Sequence, residues 1–239
     1  NVSAGVNRTG DVKDARVLAP ATATGVVLGS DIANIKGYVD ELSDMRGFTE
    51  THSFSGEGKG RDKEDRDEYK VRAEVAFCFN NEINELQYFH NSSFLEHGGS
   101  PDKAVKNAFL YSIDKEIKAR DKYKGNESKI KFEDIQDSLI LVSSTFSTQT
   151  SYENQTKKAI NNKFIQDFMT DLIKTNLEVW FIENKQLGDK VVDQVLINKH
   201  ARENAEKTKI NVRKVFQDKI DLNNRIKKFV DCRSKDVNI

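Results

Sequence analysis

A change of hydrophobic period along the chain limits the folds that this sequence can adopt. Apolar side chains recur at every second position from Val71 to Phe79, which is the period of a half-buried β-strand. From Lys157 onward the period becomes helical, with apolar residues spaced by four in two neighbouring rows. The rows are Ile160, Phe164, Phe168 and Leu172, and Ile165, Met169 and Ile173. We therefore expect an α+β fold, with strands first and long amphipathic helices after them.

Local turn and cap signals divide the middle of the chain. Turn residues at 80–82 separate the strand at 71–79 from a second alternating run at 86–90, and this spacing predicts a β-hairpin. Ser100 followed by Pro101 predicts the start of a helix, with the serine hydroxyl as its cap. The inner face of that helix is expected to consist of Val105, Phe109, Ser112, Ile113 and Ile117.

The second half of the chain completes the predicted architecture. Residues 132–136 predict one short helical turn, and the apolar, β-branched run 139–146 predicts a buried strand. Gly188 is expected to end the first long helix, and a second helix is expected over 189–216. A row of mostly small residues suits close packing of this second helix against a neighbour. The row is Ala201, Ala205, Thr208, Val212 and Val215.

The first 68 residues carry the weakest signals. A short helix is expected over 32–42, with Ile35, Val39 and Leu42 on one face. Residues 55–68 are densely charged and punctuated by glycine, so they can bury little and are expected to form a loop. Residues 58–60 (Gly-Lys-Gly) do not predict a phosphate loop, because no apolar strand precedes them and no serine or threonine follows the lysine.

Composition argues against two classes of function. Lysine plus arginine and aspartate plus glutamate each number 38, so the surface as a whole is not a footprint for nucleic acid. No apolar run approaches the ~20 residues of a membrane-spanning helix, and no signal-peptide pattern opens the chain. Cys78 and Cys232 lack metal-like spacing and indicate reduced thiols in a cytoplasmic protein. The chain begins without methionine and ends at Ile239, which suits an excised domain.

Four segments, in this order and at this spacing, carry a family resemblance. They are residues 88–101, 132–139, 152–157 and 230–236. They resemble, in turn, a strand with a double glycine and helix start, the turn before a third strand, a nucleotide-sensing loop, and the junction before a TOPRIM domain. Together they are similar to the transducer domain of the B subunits of type IIA DNA topoisomerases, the family of DNA gyrase B and topoisomerase IV B.

The resemblance implies a fold and a division of the chain. Residues 69–236 are expected to form the transducer domain, which ends at the TOPRIM junction. Residues 1–68 are expected to hold the C-terminal remnant of the ATP-binding domain and a charged insertion loop. The implied fold is that of the second domain of ribosomal protein S-five: a small mixed sheet, a left-handed βαβ crossover and a long C-terminal helix. Pattern rules alone favour a right-handed crossover.

The resemblance also assigns chemistry to the loop at 152–157. Lys157 is expected to reach the γ-phosphate of ATP held by the neighbouring domain, as the catalytic residue of this segment, and Gln155 is expected to add a second contact. An ammonium on a long stem is a compact counter-charge for a phosphate. Loss of the phosphate would release the loop, and the helix rooted at Lys157 would carry the change onward. For an isolated Gln-Thr-Lys run, a solvated polar connection is the plainer interpretation.

The implied cofactors and partners belong to the complete subunit. ATP and magnesium are expected there, but this fragment lacks the residues that hold them and is expected to be inactive alone. The implied partners are DNA, the A subunit of gyrase or topoisomerase IV, and a second B subunit in the ATP-bound state. No metal site is expected here, since His90, His97 and His200 share no ligand spacing.

The C-terminal part of the chain is basic and allows two interpretations. Its lysines and arginines could line a cavity through which DNA passes, contacting phosphates without reading sequence. They could equally form a solvated helix face. The residues expected to face DNA are Lys207, Lys209, Arg213 and Lys214.

One alternative function stays open from the residues. The same fold could serve as a non-enzymatic DNA- or partner-binding module, as in proteins of the MutL kind, although the junction near Cys232 argues against it. The sequence does not separate gyrase from topoisomerase IV.

Overall fold

The structure is a computed structural model that describes residues 35–125, 127–153 and 155–224. Its elements in chain order are α1 (Ile35–Leu42), β1 (His52–Gly60), β2 (Tyr69–Phe79), β3 (Glu85–His90), β4 (Ser93–Phe94), α2 (Ser100–Ala119), α3 (Phe132–Gln136), β5 (Leu139–Ser147), α4 (Lys163–Glu183) and α5 (Lys185–Asn224). The expectations for residues 1–34 and for the junction at 230–236 lie outside the described residues.

The five strands form one mixed sheet in the order β1-β2-β5-β3-β4. β3 and β5 are parallel neighbours, and the other neighbouring pairs are antiparallel. Because parallel neighbours need a crossover, the chain leaves β3 through β4, α2 and α3 before it returns as β5. A mixed α+β fold with a long C-terminal helix is therefore confirmed.

The predicted hairpin between β2 and β3 is wrong, because β5 lies between these two strands. β5 is buried from Leu139 to Thr145, and it pairs with β2 along one edge and with β3 along the other. The predicted turn nevertheless exists. The buried Asn80 side chain accepts hydrogen bonds from the backbone N–H groups of Glu82 (2.7 Å) and Ile83 (3.2 Å). The turn therefore carries the chain past β5 instead of closing a hairpin.

The loop predicted over 55–68 is wrong for residues 55–60, which belong to β1 and pair with β2 along the whole strand. Glycines at alternate positions of β1 face the apolar row of α4. A side chain at Gly56 would begin 2.8 Å from Leu172 Cδ1, and one at Gly58 would begin 2.7 Å from Phe168 Cε2. Gly60 meets Phe164 in the same way. The glycines thus let a helix lie directly on an edge strand, a close approach that glycine allows.

Helices cover both faces of the sheet. On one face, α2 and α4 pack side by side over the alternate residues of β2, and Phe77 contacts Trp180 with ring centroids 6.1 Å apart. On the other face, α1 places Ile35 and Val39 against the buried Cys78. The short helices α1 and α3, the buried strand β5 and the predicted inner face of α2 are confirmed.

Three predicted helix boundaries are wrong. Helix α2 has Gly99 at its N-cap, and the Ser100 hydroxyl donates to the Ile160 carbonyl (3.2 Å) instead of capping the helix. Helix α4 begins at Lys163 instead of Lys157. It ends before Asn184, and Gly188 lies inside α5, where an added Cβ would be 2.8 Å from Phe181 Cδ1. In this case glycine serves close packing instead of termination.

The chain divides into two compact units, of which the first ends at Asn198 and the second begins at Lys199. In the second unit, the row predicted to pack closely is exposed, so that prediction is wrong. Its members are Ala201, Ala205, Thr208, Val212 and Val215. Across the part of the chain that the structure describes, no helix is both long enough and apolar enough to span a membrane.

Candidate functional site

The candidate site is the loop that joins β5 to α4. We call residues 150–153 and 158–162 its foot, and residues 155–157 its tip; Asn154 is outside the described residues. The two sides of the foot pair with each other. The Asn161 N–H donates to the Ser151 carbonyl (2.9 Å), and the Glu153 N–H donates to the Ala159 carbonyl (3.0 Å). The foot is therefore a short antiparallel ladder that presents the tip at its end.

The start of α2 holds the second side of the foot. The Ser100 N–H donates to the Ile160 carbonyl (2.8 Å), and the His97 N–H donates to the Lys158 carbonyl (3.0 Å). Gly99 lies between them with φ 81° and ψ −125°, and an added Cβ would collide with the Ile160 carbonyl oxygen. Only glycine adopts this backbone conformation readily, so the double glycine of the sequence serves to dock the foot.

His90 holds the first side of the foot from β3. Its Nε2 lies 2.8 Å from the Thr150 hydroxyl, and its Nδ1 lies 2.8 Å from the Thr145 hydroxyl. The ring is fully buried, and this burial lowers the pKa of His90 to about 4. The imidazole is therefore neutral at pH 7 and acts as a fixed hydrogen-bonding group, as expected for a satisfied histidine.

A buried polar network holds the foot to the sheet and to α4. The Asn162 amide group donates to Asp62 Oδ2 (2.9 Å), and its carbonyl oxygen accepts from the Ser151 N–H (2.7 Å). Asp62 Oδ1 accepts from the Phe164 N–H (2.8 Å) and from the Tyr69 hydroxyl (2.7 Å). Burial, followed by the hydrogen bond to Asp62, raises the pKa of Tyr69 far above its usual range, so the phenol stays protonated.

The tip contrasts with the foot, because Gln155, Thr156 and Lys157 are all exposed. Lys157 has a left-handed backbone (φ 56°), and its ammonium lies 5.6 Å from the centroid of the Tyr152 ring. Glu153, at the end of the foot, lies 3.9 Å from the Lys103 ammonium. The structure thus places both Gln155 and Lys157 at the exposed end of the loop, where an amide and a cation are accessible to solvent.

Sequence reasoning missed the residues that build the foot. Asn162 directly precedes the first turn of α4, a position where asparagine is a known helix-start signal. Asp62 gave no signal, because it stands in a run of charges and its partners Asn162 and Phe164 lie about 100 positions away. The double glycine predicts a tight backbone passage, but only the structure shows that Ile160 is the partner of Gly99.

The basic residues expected to face DNA lie on α5, in the second unit. Lys207, Lys209, Arg213 and Lys214 are all exposed there. Exposure fits both a phosphate-contacting surface and a solvated helix face.

Comparison with known proteins gives concordant matches. A family model described as DNA gyrase B matches residues 34–211. The DNA gyrase B subunit of Chlamydia pneumoniae is 29% identical over 172 residues, which are 71% of this chain and 21% of that protein. The corresponding protein of Clostridium acetobutylicum is 30% identical over 165 residues, 68% of this chain and 25% of that protein. The chain therefore spans a quarter or less of the length of these two relatives.

Solved structures show a similar fold. The 43K ATPase domain of Thermus thermophilus gyrase B, in complex with an aminocoumarin, matches with a TM-score of 0.62 and 18% identity, over 73% of this chain and 45% of that one. The topoisomerase IV ATP-binding domain of Francisella tularensis, in complex with a small-molecule inhibitor, matches with a TM-score of 0.56 and 20% identity, over 70% of this chain and 43% of that one. These similarities establish the fold alone.

Proposed function

The chain belongs to the DNA gyrase B family, and from this premise we propose that residues 69–236, with β1 added to their sheet, are the transducer domain of an ATP-dependent type IIA DNA topoisomerase. The proposal includes an S-five-like fold in which the β3–α2–β5 connection is left-handed. It also places part of an ATP-binding domain in the N-terminal residues. The mixed sheet, the β3–α2–β5 unit and the long α5 support this assignment.

The tip senses the γ-phosphate of ATP in this proposal. One observation carries this proposal: Gln155 and Lys157 are exposed, while the foot that presents them is hydrogen-bonded on both sides. A γ-phosphate concentrates negative charge, and the Lys157 ammonium can follow and neutralise that charge. In a cleft closed to water this contact strengthens and stabilises charge that develops during phosphoryl transfer.

The foot links this contact to α4. Asn162 is both the last residue of the foot and the N-cap of α4, so the tip and the helix share one rigid support. Loss of the terminal phosphate removes the partner of Lys157 and releases the tip, as in other switches controlled by a γ-phosphate. The resulting change in the foot then moves α4, and this movement is coupled to the movement of the DNA gate during strand passage.

The other components are assigned to the complete subunit. ATP and magnesium are held by its other parts, and this segment alone is inactive. Its partners are DNA, the A subunit of gyrase or topoisomerase IV, and a second B subunit in the ATP-bound state, in the cytoplasm. Lys207, Lys209, Arg213 and Lys214 contact DNA phosphates without reading sequence, as exposed cations on one long helix can.

The test is Lys157→Ala in the complete subunit, assayed with its partner subunit and DNA. We expect the kcat for ATP to fall by about 100-fold or more, the size of effect seen when one group that stabilises transition-state charge is removed. The folded state should be unaffected, because the Lys157 side chain is exposed.

Lys158→Ala is the matched control, because this neighbouring side chain forms an ion pair with Glu96 instead of standing at the ring of Tyr152. Its kcat should stay within about threefold of the unmodified value, as expected for loss of an exposed pair. Unchanged turnover in the Lys157 variant would overturn the assignment of the tip.

A further inference from the structure

We propose that Asp62 is a positioning residue for the tip, because its carboxylate joins the foot of the loop, the start of α4 and the β1–β2 turn. The proposal rests on the proposed function of the tip. Asp62 itself touches neither the tip nor any nucleotide in this scheme. It acts through Asn162 and Phe164.

The geometry of Asp62 ties two elements to one side chain. Its Oδ1 accepts from the backbone N–H of Phe164 (2.8 Å), in the first turn of α4. Its Oδ2 accepts from the Asn162 side chain (2.9 Å), which in turn holds the Ser151 N–H (2.7 Å) on the opposite side of the foot. The Tyr69 hydroxyl donates to Oδ1 (2.7 Å) and fixes the carboxylate against β2. The β1–β2 hairpin and the junction of the foot with α4, which lie about 100 positions apart in sequence, therefore meet at one group.

A carboxylate is needed here because α4 does not cap itself. Its N-cap residue, Asn162, makes no side-chain cap hydrogen bond, since its carbonyl oxygen is used by Ser151. The first backbone N–H groups of a helix need acceptors from outside the helix, and negative charge is favourable at that end. Asp62 supplies both from the β1–β2 turn.

The other acids of this turn are arranged differently. Asp65 and Asp67 are exposed, and the exposed Glu68 pairs with Lys59 (3.0 Å) and Arg61 (2.8 Å) within the hairpin. Asp62 is half-buried, and it accepts hydrogen bonds from the sheet, the foot and α4. Of these acids, Asp62 is the one that joins the turn to the foot and to α4. The exposed Asp65 and Asp67 provide controls of the same residue type.

The consequence is that the foot and α4 move together. Ser151 and Asn162 flank the tip, so an error in their placement displaces Gln155 and Lys157. Misplacement of a catalytic group by about 1 Å lowers the rate of a positioned reaction by as much as 100-fold. Removal of Asp62 should therefore lower kcat for ATP more than it changes KM.

The first experiment measures the foot without ATP. In the complete subunit, hydrogen exchange is followed by mass spectrometry in peptides covering residues 148–153 and 162–166. Asp62→Ala should speed exchange in both peptides by at least about tenfold, as expected for loss of a hydrogen bond to a charged acceptor. Asp65→Ala should leave both unchanged. Unchanged exchange in the Asp62 variant would overturn the proposal, whatever the role of Lys157.

The second experiment exchanges the two side chains. Asp62→Asn keeps an acceptor for the Phe164 N–H. It also replaces the acceptor of the Asn162 side chain with an NH2 group, so that two donors face each other. The double variant Asp62→Asn with Asn162→Asp restores a donor facing an acceptor and keeps an acceptor for Ser151. We expect kcat for ATP to fall about tenfold in the single variant, with KM within about threefold, and to return to within about threefold in the double variant.

The two proposals fail in different ways. If exchange in the foot rises and kcat for ATP stays the same, Asp62 is only structural and the positioning role is wrong. If Lys157→Ala leaves turnover unchanged, the proposed function of the tip is wrong even when exchange responds to Asp62. A double variant that does not recover turnover would also count against positioning, because it keeps acceptors for Phe164 and Ser151 and a hydrogen bond between positions 62 and 162. It lacks only the hydrogen bond from the Asn162 amide to the Tyr69 hydroxyl (3.2 Å).

Discussion

The foot and the tip of the same loop are built on opposite principles. In the foot, Ser151, Ile160 and Asn162 use backbone or side-chain groups in hydrogen bonds to the sheet, to α2 or to each other. In the tip, Gln155 and Lys157 are exposed. The difference shows where precision is needed: the support is fixed in advance, and the long side chains that would meet a ligand keep their freedom.

This division has an energetic reason. Ordering a lysine or glutamine side chain costs up to about 2 kcal/mol, and that cost falls on binding if the side chain is mobile beforehand. Ordering the backbone of a residue is a separate cost, and because the foot is fixed during folding, that cost does not fall on the binding step. Substitutions that break the contacts docking the foot should therefore destabilise the protein, and substitutions that remove contacts of the tip should not.

The largest effect is expected from Gly99→Ala. The residue has φ 81° and ψ −125°, a conformation that disfavours any side chain, and the new Cβ would collide with the Ile160 carbonyl oxygen. Backbone strain and overpacking each cost about 1–3 kcal/mol, so the free energy of unfolding should fall by about 4 kcal/mol. Urea denaturation followed by circular dichroism measures this loss.

Gly125→Ala is the matched control for Gly99. Gly125 also has positive φ (54°), but a Cβ there meets nothing within 4 Å. It should cost about 1 kcal/mol, the penalty for the left-handed conformation alone. Equal losses at the two glycines would mean that contact with Ile160 adds nothing and that the foot is not docked on α2.

A smaller effect is expected from the pH dependence of His90. Its pKa is about 4 in the folded protein because of burial, against about 6.5 when unfolded. Protonation therefore favours the unfolded chain: the contribution of neutral His90 is fully present above pH 6.5 and is lost as the pH falls through 6.5 towards 4. Between pH 7 and pH 4 the free energy of unfolding should fall by about 2–3 kcal/mol from this residue.

His90→Gln separates this contribution from that of the carboxylates, which titrate in both proteins. The difference between the unfolding free energies of the two proteins should shrink steadily from pH 7 to pH 4. A difference that stays constant over this range would show that His90 is not buried in its neutral form, and that the foot lacks this support on the β3 side.

Much of the architecture could be predicted from the sequence because burial imposes a period. The alternation over 71–79 gave β2, the apolar run over 139–146 gave β5, and the row of Ile165, Met169 and Ile173 gave the buried face of α4. Each of these signals is local, since the residues that share a face stand at fixed spacing. The resemblance added Gln155 and Lys157, which the structure places at an exposed tip.

What the sequence did not predict depends on partners that are far apart along the chain. Gly56, Gly58 and Gly60 keep the two-residue period of a strand, but glycine has no apolar side chain to reveal the face that Phe168 covers. In the same way, nothing in the sequence distinguishes Asp62 from its charged neighbours, because its partner Asn162 is brought beside it only by the fold. The order of the sheet also escaped prediction, because β5 enters between two strands that precede it.

The smallest effect is expected from Tyr152→Leu, a change in the foot residue whose ring the Lys157 ammonium faces. The Lys157 ammonium lies 5.6 Å from the Tyr152 ring centroid, and an exposed contact of this kind contributes about 0.5–1 kcal/mol. Leucine keeps apolar packing but removes the ring, so the free energy of unfolding should fall by no more than about 1 kcal/mol. Because ring currents shift nearby protons, the Lys157 side-chain methylene signals in NMR spectra should move to the values of a free lysine.

Tyr152→Phe is the control, because it keeps the ring and should leave those signals in place. Because the Tyr152 ring also packs against the core, a loss of stability above about 2 kcal/mol in the leucine variant would reflect that packing instead of the Lys157 contact. Unmoved signals would mean that Lys157 does not rest on the ring. The predicted result, a lysine freed at a cost of no more than about 1 kcal/mol, would show that the Tyr152 ring restrains the cation and that the hydrogen bonds of the foot define where the tip stands.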